Sequence, residues 1–209
     1  MMWDPKIITE PTSEPCSVAE VKQHLRIDDL ADATENTAQN SEISRFIATA
    51  RKLIEKTTGR TIHQTTLEIA LDRWPACEFI ALPRATPLVS ITSLKYLATD
   101  ATETTVSAST YIADTYPTPG RLTLAYGESW PSTTLYPASP IRVRYVAGIA
   151  TTSPITDPDS RIKQAAFLLV AGMWENRESE VVTDMKTLES AILSWGVNKL
   201  LMDLMVHEC

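Results

Sequence analysis

Apolar positions repeat at two different periods along the chain, and the change of period divides it. Val18, Val21 and Leu25 fall on one helical face, directly after Ser17 and Glu20, which form an S-x-x-E capping box. They predict a short first helix ending near Arg26. Ile43, Phe46, Ile47, Ala50 and Ile54 keep the same spacing and predict a second helix over about 41–58, stopped by Gly59 as a C′ glycine. After Gly59 the period drops to two: Leu67, Ile69 and Leu71 alternate with Glu68, Ala70 and Asp72. Further short strands are expected around Phe79–Ala81, Val89–Leu97, Val106, Tyr111–Ile112, Arg121–Leu124 and Ile141–Tyr145, with Gly148 closing the last. Most prolines fall in this stretch, where they suit strand ends and edges. Helical spacing returns after Asp157-Pro158, read as an N-cap followed by a proline at the first helical position. Ile162, Ala165, Ala166, Leu169, Val170 and Met173 then predict a third helix over about 158–177. Phe167 and Leu168 widen its stripe, so it is expected to be the central helix, and Gly172 is expected to mark close helix–helix packing. Leu188, Ile192, Trp195 and Met202 place a fourth helix near the end, with Gly196 as a kink or break.

Two stretches carry no period. Residues 1–14 read as extended and poorly ordered, interrupted by Pro5 and Pro11. Residues 28–42, with Asp28, Asp29, Asp32, Glu35 and Glu42, read as a polar linker. That linker lacks the glycine and alternating ligands of a calcium loop. The fold class expected is α+β: a four-helix body, two helices N-terminal and two C-terminal, with a central antiparallel β-sheet or small barrel inserted. The expected boundaries are 1–60 for the first helical part, 61–157 for the β-rich insertion and 158–209 for the second helical part with its tail.

Composition changes this picture little. The 209 residues suffice for a sizeable core, and no apolar run approaches the roughly 20 residues of a bilayer span. The N-terminus shows no basic segment followed by an apolar one, so residence in a cytoplasm is expected. Three scattered cysteines make neither a disulfide framework nor a zinc pattern. The net charge is −7, with acids outnumbering bases in each of the three stretches. Such a surface disfavours gripping DNA by its phosphates and suits a passage that DNA slides through, though solubility alone also accounts for it.

Candidate chemistry is sparse. The three histidines, His24, His63 and His207, stand near no cysteine, serine elbow or second histidine at ligand spacing. His24 and Asp28 are one turn apart, an exposed helix pair in the plainer reading. No phosphate loop, nucleophile elbow or zincin motif is present. Arg142 and Arg144 share a strand face, suited to phosphate contact or to salt bridges. Trp74 and Trp130 are expected to plug the edges of the β-region, and Trp174 to join the core. Trp195 is either a core plug or an anchor in a partner's groove.

Several motifs, in this order, resemble the head–tail adaptor (connector) proteins of tailed bacteriophages and gene transfer agents, in the longer branch with a β-rich insertion. They are residues 15–28, Ala50–Arg60, Leu71-Asp72-Arg73-Trp74-Pro75, Leu82–Ile91, Pro119-Gly120-Arg121-Leu122, Trp130-Pro131, Val143–Gly148 and Ile162–Glu178. The 28–42 stretch is longer than in that family, and the last residues follow none of its motifs. The resemblance implies a non-enzymatic virion protein of the neck, made in a host bacterial cytoplasm, with no cofactor, metal or membrane. It implies a ring of twelve beneath the portal protein that extends the DNA channel and offers a surface to the next component, a stopper or tail terminator. Double-stranded DNA would pass through without specific binding. The family commonly docks on the portal through its C-terminal segment, here Trp195, Val197, Leu200, Leu201, Leu204 and Met205, while Glu178 and Glu180 would line the channel. Two other readings stand beside it. A tail-completion or stopper protein is expected to be mostly β, and a ligand-binding β-module on a helical stalk should show an aromatic-rich groove.

Overall fold

The computed structural model describes residues 5–149, 159–175 and 195–206. They form two compact units: 13–58, 159–175 and 195–205 make a helical unit, and 5–12, 59–149 and 206 make a β unit.

The helical unit holds α1 (Val18–Leu25), α2 (Ala33–Thr58), α3 (Ser160–Glu175) and α4 (Trp195–Met202). Its first helix starts as the capping box requires. Ser17 Oγ accepts from the Glu20 amide at 3.2 Å, and the Glu20 carboxylate accepts from the Ser17 amide at 2.9 Å. Arg26 ends it in the left-handed region at φ 56°. The third helix packs on α1, α2 and α4, the central place its wide stripe predicted. Ile43, Ile47, Ala50 and Ile54 of α2 are buried together with Ile162, Ala165, Ala166, Leu169 and Val170 of α3. Cys16 is buried beside them, and loss of hydration pushes its thiol up to about 12, with the Glu20 charge adding to the rise.

Residues 28–42 are not a linker throughout, because α2 begins at Ala33. Asp32 caps it, accepting from the amides of Thr34 at 2.8 Å and Glu35 at 3.0 Å. Thr37, Ser41, Ser44 and Thr49 then donate their hydroxyls to the carbonyl four residues back. The early turns bury little, so no apolar stripe announces them. Buried Lys22 ties them down through Asp29 at 2.6 Å and Asn36 at 2.8 Å. Gly172 also departs from expectation: it is exposed, and a Cβ there would meet no atom within 4 Å among the described residues. Close packing on described neighbours therefore does not explain this glycine. The Asp157-Pro158 start of α3 lies outside the described residues, as do Leu188 and Ile192. Trp174 is half-buried.

The β unit contains eight strands: β1 (Lys6–Thr9), β2 (Thr65–Leu71), β3 (Phe79–Ala81), β4 (Leu88–Leu97), β5 (Glu103–Thr105), β6 (Tyr111–Asp114), β7 (Arg121–Leu124) and β8 (Ile141–Ala147). A five-stranded sheet runs β1-β2-β8-β4-β5 and a three-stranded sheet runs β3-β7-β6, with every pairing antiparallel. Inward residues of both sheets share one core, including Leu67, Ile69, Ile80, Leu94, Leu122, Val143 and Tyr145. Residues 6–9 are thus an edge strand of the β unit and not part of the helical body, with Lys6 opposite Glu68 and Ile7 opposite Leu67. An isolated four-residue strand with one half-buried apolar side chain leaves almost no period to read.

The first and last long strands of the insertion, β2 and β8, are neighbours, and Thr65 lies opposite Ala147. Beyond them His63 bridges Ile149. Gly148 makes this approach feasible: its φ is +99°, and a Cβ would fall 2.3 Å from the His63 carbonyl oxygen. At the edge of the core, Trp74 stacks on Trp130 with ring centroids 5.1 Å apart and meets Tyr96 edge-on, while Trp130 Nε1 donates to the Cys77 carbonyl. The two tryptophans plug the edge as their positions predicted.

Two substitutions test the helical unit. The Arg51 guanidinium is 3% exposed and bonds Glu14 at 2.9 Å and the equally buried Glu55 at 3.3 Å. Arg51→Ala leaves Glu55 buried without that cation, and a loss of about 3–5 kcal/mol is expected in urea unfolding. Gly172→Ala adds helix propensity without a described clash, and a gain of about 1 kcal/mol is expected in the same assay.

Candidate functional site

The apolar tail divides when it is placed on a helix. Val197, Leu201 and Leu204 follow one another at helical spacing and are 1%, 0% and 5% exposed. They complete the core of the helical unit, where α4 packs on α3 and α2. Leu200 and Met205 are half-buried, and Met202 is 64% exposed. Of the six residues expected to dock on a partner, three are therefore spent inside the chain's own bundle. What the bundle does not take up is Leu200, Met205 and Met202, the last of which was not among the six. Met202 carries a signal that was available, since it is a large apolar residue one step off the 197–201–204 face. Trp195 opens α4, and its side chain lies outside the described structure. Gly196 sits within the first turn and does not break the helix. Glu178 and Glu180 lie outside the described residues.

A shallow depression of about 310 Å³ opens on the helical unit, lined by Glu20, Gln23, His24, Lys163 and Phe167. The Lys163 ammonium donates to Glu20 Oε1 at 2.6 Å. That bond, followed by the Ser17 amide, holds the Glu20 carboxyl below the usual carboxylate range. His24 stacks on Phe167, centroids 5.0 Å apart and planes 12° apart, so its observed partner is an aromatic ring. The depression gathers an ion pair and a ring stack, with no serine, threonine or cysteine among its lining residues. Elsewhere among the described residues, no group of three or more His, Cys, Asp or Glu is placed to hold a metal ion. No described helix is long and apolar enough to cross a membrane.

The outward face of the five-stranded sheet carries several charges. Arg142 and Arg144 lie on it, as their spacing predicted. Arg144 grips Glu68 Oε2 through Nε at 3.0 Å and Nη2 at 2.7 Å. Lys95 donates to Glu103 at 2.6 Å, a bond that lowers the Glu103 carboxyl pKa. Lys6 stands opposite Glu68, and Arg142 stands opposite Lys95.

No family model matches the chain, and no curated protein matches it. Solved structures do. The fold is similar to a chain in the neck of an empty GTA particle computed with C6 symmetry, at a TM-score of 0.76 and 21% identity, over 99% of this chain and 97% of that one. It is similar over the same shares, and at the same identity, to a chain in the virion of a native gene transfer agent particle, at 0.73. A chain in the neck of the native particle computed with C12 symmetry gives 0.71. The α+β architecture of four helices and a central antiparallel β part is thus a fold that gene transfer agent neck chains also adopt, in line with the resemblance carried by the sequence motifs.

The ion pair in the depression makes a pH prediction. The folded pKa of Glu20 lies below its ordinary value of 4.5, so its contribution to stability is fully present above that value and is lost as pH falls through the lowered pKa. Lys163→Gln removes the largest cause. The Glu20 carboxyl, followed by NMR, should then titrate closer to 4.5, and the acid-side loss of stability should shrink.

Proposed function

We propose that the protein is a structural, non-enzymatic component of a virion neck: a head–tail adaptor whose copies form a ring under the portal. The observation that carries this reading is the likeness to gene transfer agent neck chains over 99% of this chain, at TM-scores of 0.71 to 0.76. Those neck structures were computed with C6 and C12 symmetry, which supports a ring here and agrees with twelve copies. In this reading the ring extends the DNA channel, passes the duplex without specific binding and presents a surface to a stopper or tail terminator. Glu178 and Glu180 would face the lumen, where their charge repels phosphates.

The C-terminal segment from Trp195 onward would dock on the portal. Docking through Leu200, Met202 and Met205 leaves the bundle intact. Docking through Val197, Leu201 and Leu204 requires α4 to leave α3. The first mode costs less, because it uncovers no core.

The test is the mass of the protein alone and mixed with a portal of its own particle. A ring formed alone or on the portal is expected; a chain that stays monomeric in both states overturns the reading. Two variants separate the docking modes. Met202→Glu should weaken portal association at least about tenfold while changing stability by no more than about 0.5 kcal/mol. Leu201→Ala should cost about 2–5 kcal/mol in unfolding of the chain alone.

A further inference from the structure

The outward face of the five-stranded sheet contains an arrangement that folding alone does not favour. Like charges directly opposite in an antiparallel ladder destabilise it, yet Arg142 stands opposite Lys95. Lys95 is compensated by Glu103 and Arg144 by Glu68. Arg142 is exposed, and among the described residues it acts on a carboxylate, that of Glu103, only at longer range than an ion pair. With Lys6, this face sets four bases against two acids, on a chain whose net charge is −7.

The connection from α1 into α2 has the opposite character. Asp28, Leu30 and Glu35 are exposed, and Leu30 is a bare apolar side chain, 41% exposed, among carboxylates. Asp29 and Asp32 serve the fold, holding Lys22 and capping α2. Asp28 and Glu35 make no side-chain bond of that kind among the described residues. The sheet face matches this segment in chemistry as well as in charge, since half-buried Val146 and Ala70 lie in the strand positions flanking Arg144 and Arg142.

We infer that the outward face of the five-stranded sheet, centred on Arg142, receives the acidic segment 28–35 of a second copy of this chain. The inference rests on the ring reading, and it names the contact by which neighbours meet. A closed ring needs a heterologous contact, in which one chain carries two different and complementary surfaces. The sheet face and the 28–35 segment are such a pair. Duplex DNA fits the face less well: Glu68 stands in the same row as Arg144 and Glu103 lies beside Lys95, and both oppose a phosphate backbone, whereas interspersed signs suit a protein partner.

The experiment follows ring formation of the full chain, with or without portal as the unaltered chain requires, by mass photometry at low and high salt. Arg142→Glu is expected to raise the concentration needed for rings at least about tenfold, and Asp28→Lys with Glu35→Lys to do the same. Each variant should keep the circular dichroism and melting temperature of the unaltered chain. Joining the two reversals in one chain should restore rings to near the original concentration. Rings indifferent to Arg142→Glu, or a combined variant no better than its parents, overturn the inference and leave the adaptor reading standing. If reversal at Arg142 alters retention of duplex DNA and leaves rings unchanged, the face belongs to DNA and the inference fails. If the unaltered chain forms no ring in any state, the adaptor reading fails and the inference falls with it.

Discussion

The packing of α3 on α2 is the contact on which the helical unit depends. Neither helix can bury its apolar stripe alone. Ile43, Ile47, Ala50 and Ile54 need Ala165, Ala166, Leu169 and Val170, and these lie more than a hundred residues further along the chain. The small side chains Ala50, Ala165 and Ala166, all fully buried, suit close approach of the two helices. Once the pair exists, the other helices have somewhere to go. α1 lies against both, carrying Val21 inward, and α4 adds Val197 and Leu201. Joining segments so distant in sequence costs loop-closure entropy, which grows only slowly with length. A prefolded insertion whose ends already lie together lowers that cost further.

What could be read from the chain followed burial. Ser17 and Glu20 announced α1 because a capping box satisfies amides by a fixed spacing. Gly59 announced the end of α2 because only glycine takes its φ of +66° without penalty. Strands β2 and β8 alternate cleanly since each has one face in the core. The start of α2 was hidden for the converse reason. Its early turns are held by Asp32, by back-bonding hydroxyls and by Lys22, none of which makes an apolar stripe. Strand β1 was hidden because its order comes from a partner sixty residues away. The apolar residues of the last segment were legible as helical but not as inward or outward, since nothing in the segment 195–206 says which face meets α3.

The charges tell a similar story. Arg51, Lys22, Lys163 and Arg144 each hold a carboxylate within the fold, so a count of bases and acids overstates what the surface offers. What remains at the surface is local and uneven: an exposed arginine on a sheet face, an acidic connection with one leucine, and three apolar side chains at the end of α4.

The pairing of β2 with β8, closed by Gly148 against His63, has a consequence for how such a chain can vary. The long stretch 59–149 of the β unit begins and ends at one paired base, so its interior length does not alter the spacing of its two ends. Loops between β2 and β8 can lengthen, or strands between them be exchanged, while the two ends stay paired. Selection can thus remodel the stretch between β2 and β8 while the two ends that join it to the helices keep a fixed spacing.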